Sequence, residues 1–160
     1  MHKALFLDRD GVINKDYGYV HKETQLEFID GILDICKSAI RRGYLIFIIT
    51  NQSGIGRGYY SEEQFWDFMK VIQRHFNKYG INFTKIYFAP HYRHSQNSNY
   101  LHGVEFRKPN VGMIAQAQKE FNIDLKHSIL IGDKQSDIQA GLGAKIGRNI
   151  FFRGQFTNIF

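Results

Sequence analysis

The residues best suited to chemistry stand at the end of the first apolar run. Ala4-Leu-Phe-Leu-Asp8-Arg-Asp10-Gly11-Val-Ile-Asn14 reads as a buried strand that stops abruptly at two acids and a glycine. Side chains two apart on a strand share a face, so Asp8 and Asp10 project together from its carboxyl end while Gly11 lets the chain turn away. Two carboxylates that close repel unless a cation neutralises them or one keeps a proton. A calcium loop also begins this way, but it wants glycine sixth and glutamate twelfth, where this chain has Ile13 and Tyr19.

Three later stretches turn the acidic pair into a site. Tyr44–Thr50 is a β-branched and aromatic run that gives way at once to Asn51-Gln52-Ser53-Gly54, Arg107-Lys108-Pro109 carries paired cations, and Gly132-Asp133 with Asp137 is a second acidic group. Hard oxygen ligands in small number suit Mg²⁺, which keeps waters and takes one or two carboxylates plus a phosphate. Thr50, Lys108 and the amides after Asn51 could hold the remaining phosphate oxygens, and a carboxylate can act as a covalent nucleophile. Taken singly, each has a duller explanation: an acidic turn, a strand terminus, a surface cation. Their order on successive strand ends favours catalysis.

The elements that must position these groups alternate. Asp30 is expected to cap a helix with Ile32, Leu33, Cys36, Ala39 and Ile40 inward, ended by Gly43. Ser61 and Gln64 form a capping box for a long helix with Phe65, Phe68, Met69, Ile72, Phe76 and Tyr79 along one side and Trp66 broadening it. Lys85–Ala89 is a third strand, and Asn110 is expected to cap a helix turning Met113, Ile114, Ala117 and Phe121 inward. Ser128–Asp133 is a fourth strand, followed by a short helix over Asp137–Leu142 and a strand near Asn149–Phe152. Lys15–Glu27 and Pro90–Phe106 read as loops. Strand alternating with helix implies a three-layer, Rossmann-like α/β fold, a parallel sheet of about five strands with helices on both faces. Ligands of such sheets bind beyond the carboxyl ends of the strands.

Composition sets the bounds. A chain of 160 residues, 43% hydrophobic and 15% aromatic, is expected to form a single domain over residues 1–160 with a real core. No apolar run approaches the roughly 20 residues of a membrane span, and no signal-peptide pattern opens the chain. Cys36 is the lone cysteine, a buried hydrophobe rather than a nucleophile, and a cytoplasmic setting is expected. The net charge of +6 favours anionic partners. It comes without a basic run or an interleaved aromatic–basic track, and a solvated basic surface with a pocket for a phosphorylated small molecule explains it as well as nucleic acid does. The partner expected is such a small molecule, with no nucleic acid and no membrane, and a monomer is slightly favoured.

Asp8-Arg-Asp10-Gly, Thr50-Asn51, Lys108 and Gly132-Asp133 with Asp137 resemble, in order, the four motifs of the haloacid dehalogenase-like phosphatases. Leu7–Asn14, Gly18-Tyr-Val-His21, Thr50–Ile55 with Arg57-Gly58, Arg107-Lys-Pro109 and Gly132-Asp-Lys134 narrow this to the branch of D-glycero-D-manno-heptose 1,7-bisphosphate phosphatases and histidinol-phosphate phosphatases. The resemblance runs from residue 4 to about 153. It implies Mg²⁺-dependent hydrolysis of one phosphate through an aspartyl-phosphate, in nucleotide-activated heptose synthesis or on histidinol phosphate. Asp8 would be the nucleophile and Asp10 the acid and base, with repulsion across the pair pushing the proton onto Asp10. Mg²⁺ would be held by Asp8, Asp133 and the Asp10 carbonyl. Thr50 and Lys108 would steady the phosphoryl group, Asp137 would orient from behind, and Asp16, Tyr17, Gly18, Tyr19, Asn51, Gln52, Ser53, Arg107 and Lys134 would contact substrate.

The chain departs from that branch in one place. Where relatives carry three cysteines and a histidine for a structural zinc, the corresponding positions are Ala89, His91, Val104 and Phe106. Zinc sites favour thiolate and imidazole, and even with His94 and His102 nearby no zinc is expected. The loop would be ordered by Tyr92, Tyr100, Val104 and Phe106 folding inward. No insertion is long enough for a separate cap domain, so the site is expected to be open. A phosphatase for nucleic-acid 3′ ends and a catalytically silent binding module are the alternatives.

Overall fold

The structure is a computed structural model describing residues 1–160. Five strands, β1 (Lys3–Leu7), β2 (Tyr44–Asn51), β3 (Lys85–Ala89), β4 (Ile129–Gly132) and β5 (Arg148–Phe151), form one parallel sheet in the order β3-β2-β1-β4-β5. Along β1 the side chains part by parity: Leu5 and Leu7 enter one apolar core, Ala4 and Phe6 another. A central strand covered on both faces has to do this. The first core is closed by α1 (Ile32–Arg41) and α3 (Glu62–Asn77), the second by α4 (Gly112–Phe121) and α5 (Gln135–Gly143). A single helical turn, α2 (Ser53–Gly56), follows β2. The expected three-layer α/β architecture is the observed one.

Register places the chemistry. Leu7 pairs with Ile48 of β2 and with Ile131 of β4, so the three central strands end level. Asp8, Thr50 and Asp133 stand one or two residues beyond those pairs and share one edge of the sheet. Asp8 donates its N–H to the Ile131 carbonyl at 3.1 Å, carrying β1 one step further.

The Ser61–Gln64 capping box opens α3 as read from the sequence, with Gln64 N–H on Ser61 Oγ at 3.1 Å and Ser61 N–H on Gln64 Oε1 at 2.8 Å. Two other caps differ. Gly31, not Asp30, stands at the N-cap of α1, with φ 89° and no side-chain cap. Val111, not Asn110, precedes α4, because the Asn110 amide is committed to the Val104 carbonyl at 3.0 Å. Three expected core residues are exposed, among them Trp66, which is 36% exposed and set edge-on to Phe65 and Phe88 at the flank of α3. Ile40 lies on the flank of α1, whose buried stripe is Ile32, Cys36 and Ala39, and Tyr79 lies beyond the end of α3.

The segments from β1 to α1 and from β3 to α4 contain 3-10 turns, at Glu23–Gln25, Ser98–Tyr100 and Val104–Phe106, and in the first of them isolated bridges join Asn14 to Asp10 and to Phe28. The second segment is held by Tyr92 N–H on the Tyr100 carbonyl (2.9 Å) and by Tyr100 Oη on Glu62 Oε1 of α3 (3.0 Å). Gly56 N–H on the Pro90 carbonyl (3.0 Å) ties its start to α2. Tyr92, Tyr100 and Phe106 are partly buried, as expected of an ordering role, but Val104 is 64% exposed, since its backbone rather than its side chain meets Asn110. His91 packs beneath Gly103. No helix is long and apolar enough to cross a membrane.

Candidate active site

Lys108 is the hub. Its ammonium donates to Asp8 Oδ1 (3.0 Å), Asp137 Oδ1 (2.5 Å) and the Ile49 carbonyl (2.8 Å), which satisfies all three protons in a position only 3% exposed. Burial pulls its pKa down, yet Asp8 and Asp137 outweigh burial and leave it above the ordinary lysine value. Parity explains the meeting. Asp8 continues the Ala4–Phe6 face of β1, the face that α4 and α5 cover, and Asp137 comes from the first turn of α5. Gly132 lets it in, because any Cβ there would strike the Asp137 side chain.

Carboxylate oxygens of Asp8, Asp133 and Asp137 lie within 4.8 Å of one another. Burial pushes the Asp8 carboxyl well above the usual range, with Lys108 opposing and Asp137 and Asp10 adding. It raises Asp133 too, against a hydrogen bond with Asp8 and the charge of Lys134. Such a set is short of positive charge. Asp137 has no free oxygen: Oδ1 is on Lys108 and Oδ2 accepts the Lys134 N–H at 3.0 Å. Asp133 Oδ1, in contrast, is buried without a partner, in a space that exists because Gly11 has no Cβ to fill it. Two hard carboxylates, one with an orphaned oxygen, fit Mg²⁺. The residues that would hold it are Asp8 and Asp133, with Asp137 behind them.

Asp10 is a separate post. Its Oδ1 accepts from Arg9 Nη2 (2.8 Å) and Asn14 Nδ2 (3.0 Å), and its Oδ2 from Gln52 Nε2 (3.1 Å). Each of its side-chain hydrogen-bond partners is an N–H donor, so both carboxylate oxygens act as acceptors.

A cleft of about 270 Å³ opens over these groups. Of the residues expected to contact substrate, Asp16, Gly18, Tyr19, Asn51, Gln52, Ser53, Arg107 and Lys134 line it together with Asp8, Asp10 and Lys108. Tyr17 does not; its hydroxyl turns outward to Glu27 Oε1 at 2.7 Å. Thr50 is 1% exposed and accepts from Gln52 Nε2 at 2.8 Å. The amide of Gln52 is spent on protein partners, and Asn51 grips the Lys108 backbone from both sides, Nδ2 to its carbonyl and Oδ1 from its N–H, each at 3.0 Å. Lys134 Nζ reaches Asp16 Oδ2 at 3.3 Å and draws the first loop toward α5.

Four residues of the site were not anticipated: Arg9, Asn14, Tyr60 and Ser136. Tyr60 and Ser136 line the cleft. Arg9 is fully buried, with Nη2 shared between Asp10 Oδ1 and the Val20 carbonyl (2.6 Å) and its guanidinium 5.0 Å over the Phe68 ring. An arginine between two acids at the end of an apolar strand was the available signal. A cation cannot stay buried there unless an acid beside it neutralises it.

Comparison with known proteins agrees with this geometry. Residues 6–145 match the family model described as polynucleotide kinase 3 phosphatase. The chain is 48% identical to the D-glycero-alpha-D-manno-heptose-1,7-bisphosphate 7-phosphatase of Campylobacter jejuni, over 98% of this chain and 91% of that one. The chain belongs to the haloacid dehalogenase-like phosphatases. Within the family it is also 42% identical to the D-glycero-beta-D-manno-heptose-1,7-bisphosphate 7-phosphatase of Haemophilus influenzae, over 96% of this chain and 83% of that one. The D,D-heptose 1,7-bisphosphate phosphatase of B. bronchiseptica, solved with magnesium and phosphate, superposes with a TM-score of 0.79 at 25% identity, over 92% of this chain and 79% of that one.

Proposed function

We propose that this chain is a Mg²⁺-dependent phosphatase that removes the 7-phosphate of D-glycero-D-manno-heptose 1,7-bisphosphate. One observation carries the choice of a bisphosphate: two anion-ready regions share Ser53 and Arg107. The first is the cleft over Asp8, Asp10 and Lys108. The second is a neighbouring recess of about 230 Å³ that Ser53 and Arg107 line with Arg57 and Arg93. Neither Arg57 nor Arg107 is paired with an acid. Burial, with Arg57 close by, holds Arg107 below the ordinary arginine value. Unpaired guanidinium groups at a cleft mouth suit a second phosphate.

In the reaction an Asp8 oxygen bonds to phosphorus as the bond from phosphorus to the sugar oxygen breaks, and Asp10 gives its proton to that oxygen. Water then attacks the aspartyl-phosphate while Asp10 takes the water's proton, releasing orthophosphate and restoring Asp8. The acceptor geometry of Asp10 matches its state in this second step. Lys108 neutralises charge on Asp8 and the phosphoryl group, and the metal would be held by Asp8 and Asp133 with the Asp10 carbonyl. Mg²⁺, when bound, supplies the positive charge that lets a carboxylate approach a phosphate dianion.

The family-model description favours a second reading, a phosphatase for polynucleotide 3′ ends. Turnover with and without Mg²⁺ separates the two, measured on both anomers of the heptose bisphosphate, on histidinol phosphate and on a 3′-phosphorylated oligonucleotide. The heptose substrates should be preferred by at least about tenfold in kcat/KM, with Asp8→Asn inactive. Oligonucleotide turnover that dominates and falls steeply with salt would overturn the assignment.

A further inference from the structure

We infer that Tyr60 is a positioning residue for phosphoryl transfer, acting through the Gln52 amide on Asp10 and Thr50; this rests on the roles proposed above for those two. Tyr60 precedes the Ser61 cap of α3, is 5% exposed, and stacks on His21 with ring centroids 4.5 Å apart and planes 11° from parallel. Its hydroxyl donates to Gln52 Oε1. The nitrogen of the same amide donates to Thr50 Oγ1 at 2.8 Å and Asp10 Oδ2 at 3.1 Å.

A primary amide has one accepting end and one donating end, and the two are close to the same size. Asp10, an acceptor only, takes the donating end, and the Tyr60 hydroxyl on the other end holds the amide in place against it. With the Tyr60 hydroxyl on the oxygen, both protons of the nitrogen must point at Thr50 and Asp10. Turned over, the amide would set its oxygen against the Asp10 carboxylate, exchanging that hydrogen bond for a repulsion, and the Tyr60 hydroxyl would have to give up donating. Burial pushes the Tyr60 phenol up to about 12, so it stays a donor across the working pH range. Gly54 makes room for the ring, since a Cβ there would overlap it. The result is a two-link brace from the start of α3 to the acid–base group, anchored outside the reacting atoms.

The test is a double-mutant cycle on the Mg²⁺-loaded enzyme with the heptose bisphosphate. Tyr60→Phe removes one oxygen and should lower kcat about 10-fold, the effect of one hydrogen bond of about 1.4 kcal/mol, with KM within twofold. Gln52→Met should lower kcat by at least as much. The double variant should be no worse than Gln52→Met alone, because Tyr60 has nothing left to orient. Multiplicative losses, an unchanged kcat in Tyr60→Phe, or a raised KM at constant kcat would overturn the inference; the last would make Tyr60 a direct substrate contact. Thermal midpoints guard against unfolding. If Tyr60→Phe does not fold, Gln52→Glu replaces it: this keeps an oxygen for Tyr60 but puts another against Asp10, and kcat should fall more than 100-fold. An unchanged kcat in that variant would overturn the inference as well. A wild-type enzyme inactive on every phosphate tried would refute the proposed function instead, so the two failures are distinguishable.

Discussion

Asn51 and Lys108 hold each other by a reciprocal pair of hydrogen bonds, side-chain amide to backbone amide, across 57 positions of sequence. The pair fixes where the Lys108 backbone sits at the edge of β2, and therefore where its ammonium can reach. Asn51→Ala removes both bonds and should lower kcat about 10- to 100-fold, at roughly 1 kcal/mol per bond. Asn51→Asp keeps the acceptor for the Lys108 N–H but sets its second oxygen against the Lys108 carbonyl, so it should lower kcat at least as much as Asn51→Ala. Steady-state kinetics of the three proteins check the order.

Lys108 itself links catalysis to stability. Its ammonium neutralises two carboxylates that are almost wholly buried, and Lys108→Met would leave both unpaired. Breaking a buried pair from one side costs about 3–5 kcal/mol. Lys108→Met should therefore be inactive and also markedly less stable to urea, whereas Lys108→Met with Asp137→Leu should recover part of the lost stability, Asp8 still lacking its cation, without activity. Urea midpoints and activity, measured together, test this.

Much of the layout was legible before the fold. The alternation of apolar strands with patterned helices gave the layers, and Asp8, Thr50 and Asp133 announced themselves by ending buried runs. What could not be read was direction. Gln52 and Asn51 follow a strand end as substrate ligands would, yet their amides are turned inward onto Asp10, Thr50 and Lys108. Tyr17 sits in the expected loop, but the left-handed turn at Gly18 and Tyr19 leaves it facing Glu27. Asp30 and Asn110 have capping chemistry without capping position. Amide direction and cap position are settled by partners far away in sequence, and local pattern carries no trace of them.

Cys36 gives a pH dependence of known sign. It is fully buried on α1, and burial pushes its thiol up to about 12 from 9.0. Between those values the native protein keeps a proton that the unfolded chain has lost, so stability contributed here is complete below pH 9 and declines as pH rises toward 12. The slope from one group is at most about 1.4 kcal/mol per pH unit. Urea denaturation at pH 9 and pH 10.5 should show Cys36→Ala losing less stability over that interval than wild type. Thiol reagents should label native wild type only as fast as it opens.

Gly11 and Asp133 make the metal site a question of space. Gly11 has φ +91°, a conformation that costs an L-residue roughly 1 kcal/mol, and a Cβ there would run into the Asp133 carboxylate. Gly11→Ala therefore has to displace the one carboxylate with a free buried oxygen. In wild type, Mg²⁺ should raise the thermal midpoint with concentration as a ligand of the native state does, because it relieves the crowded acids. Gly11→Ala should weaken Mg²⁺ binding at least about 10-fold by calorimetry and lose most of that thermal shift, and Asp133→Asn should lose it as well. Asp16→Asn, which alters only the exposed contact to Lys134, should keep the shift. If Gly11→Ala bound Mg²⁺ as tightly as wild type, Asp133 would not be a ligand.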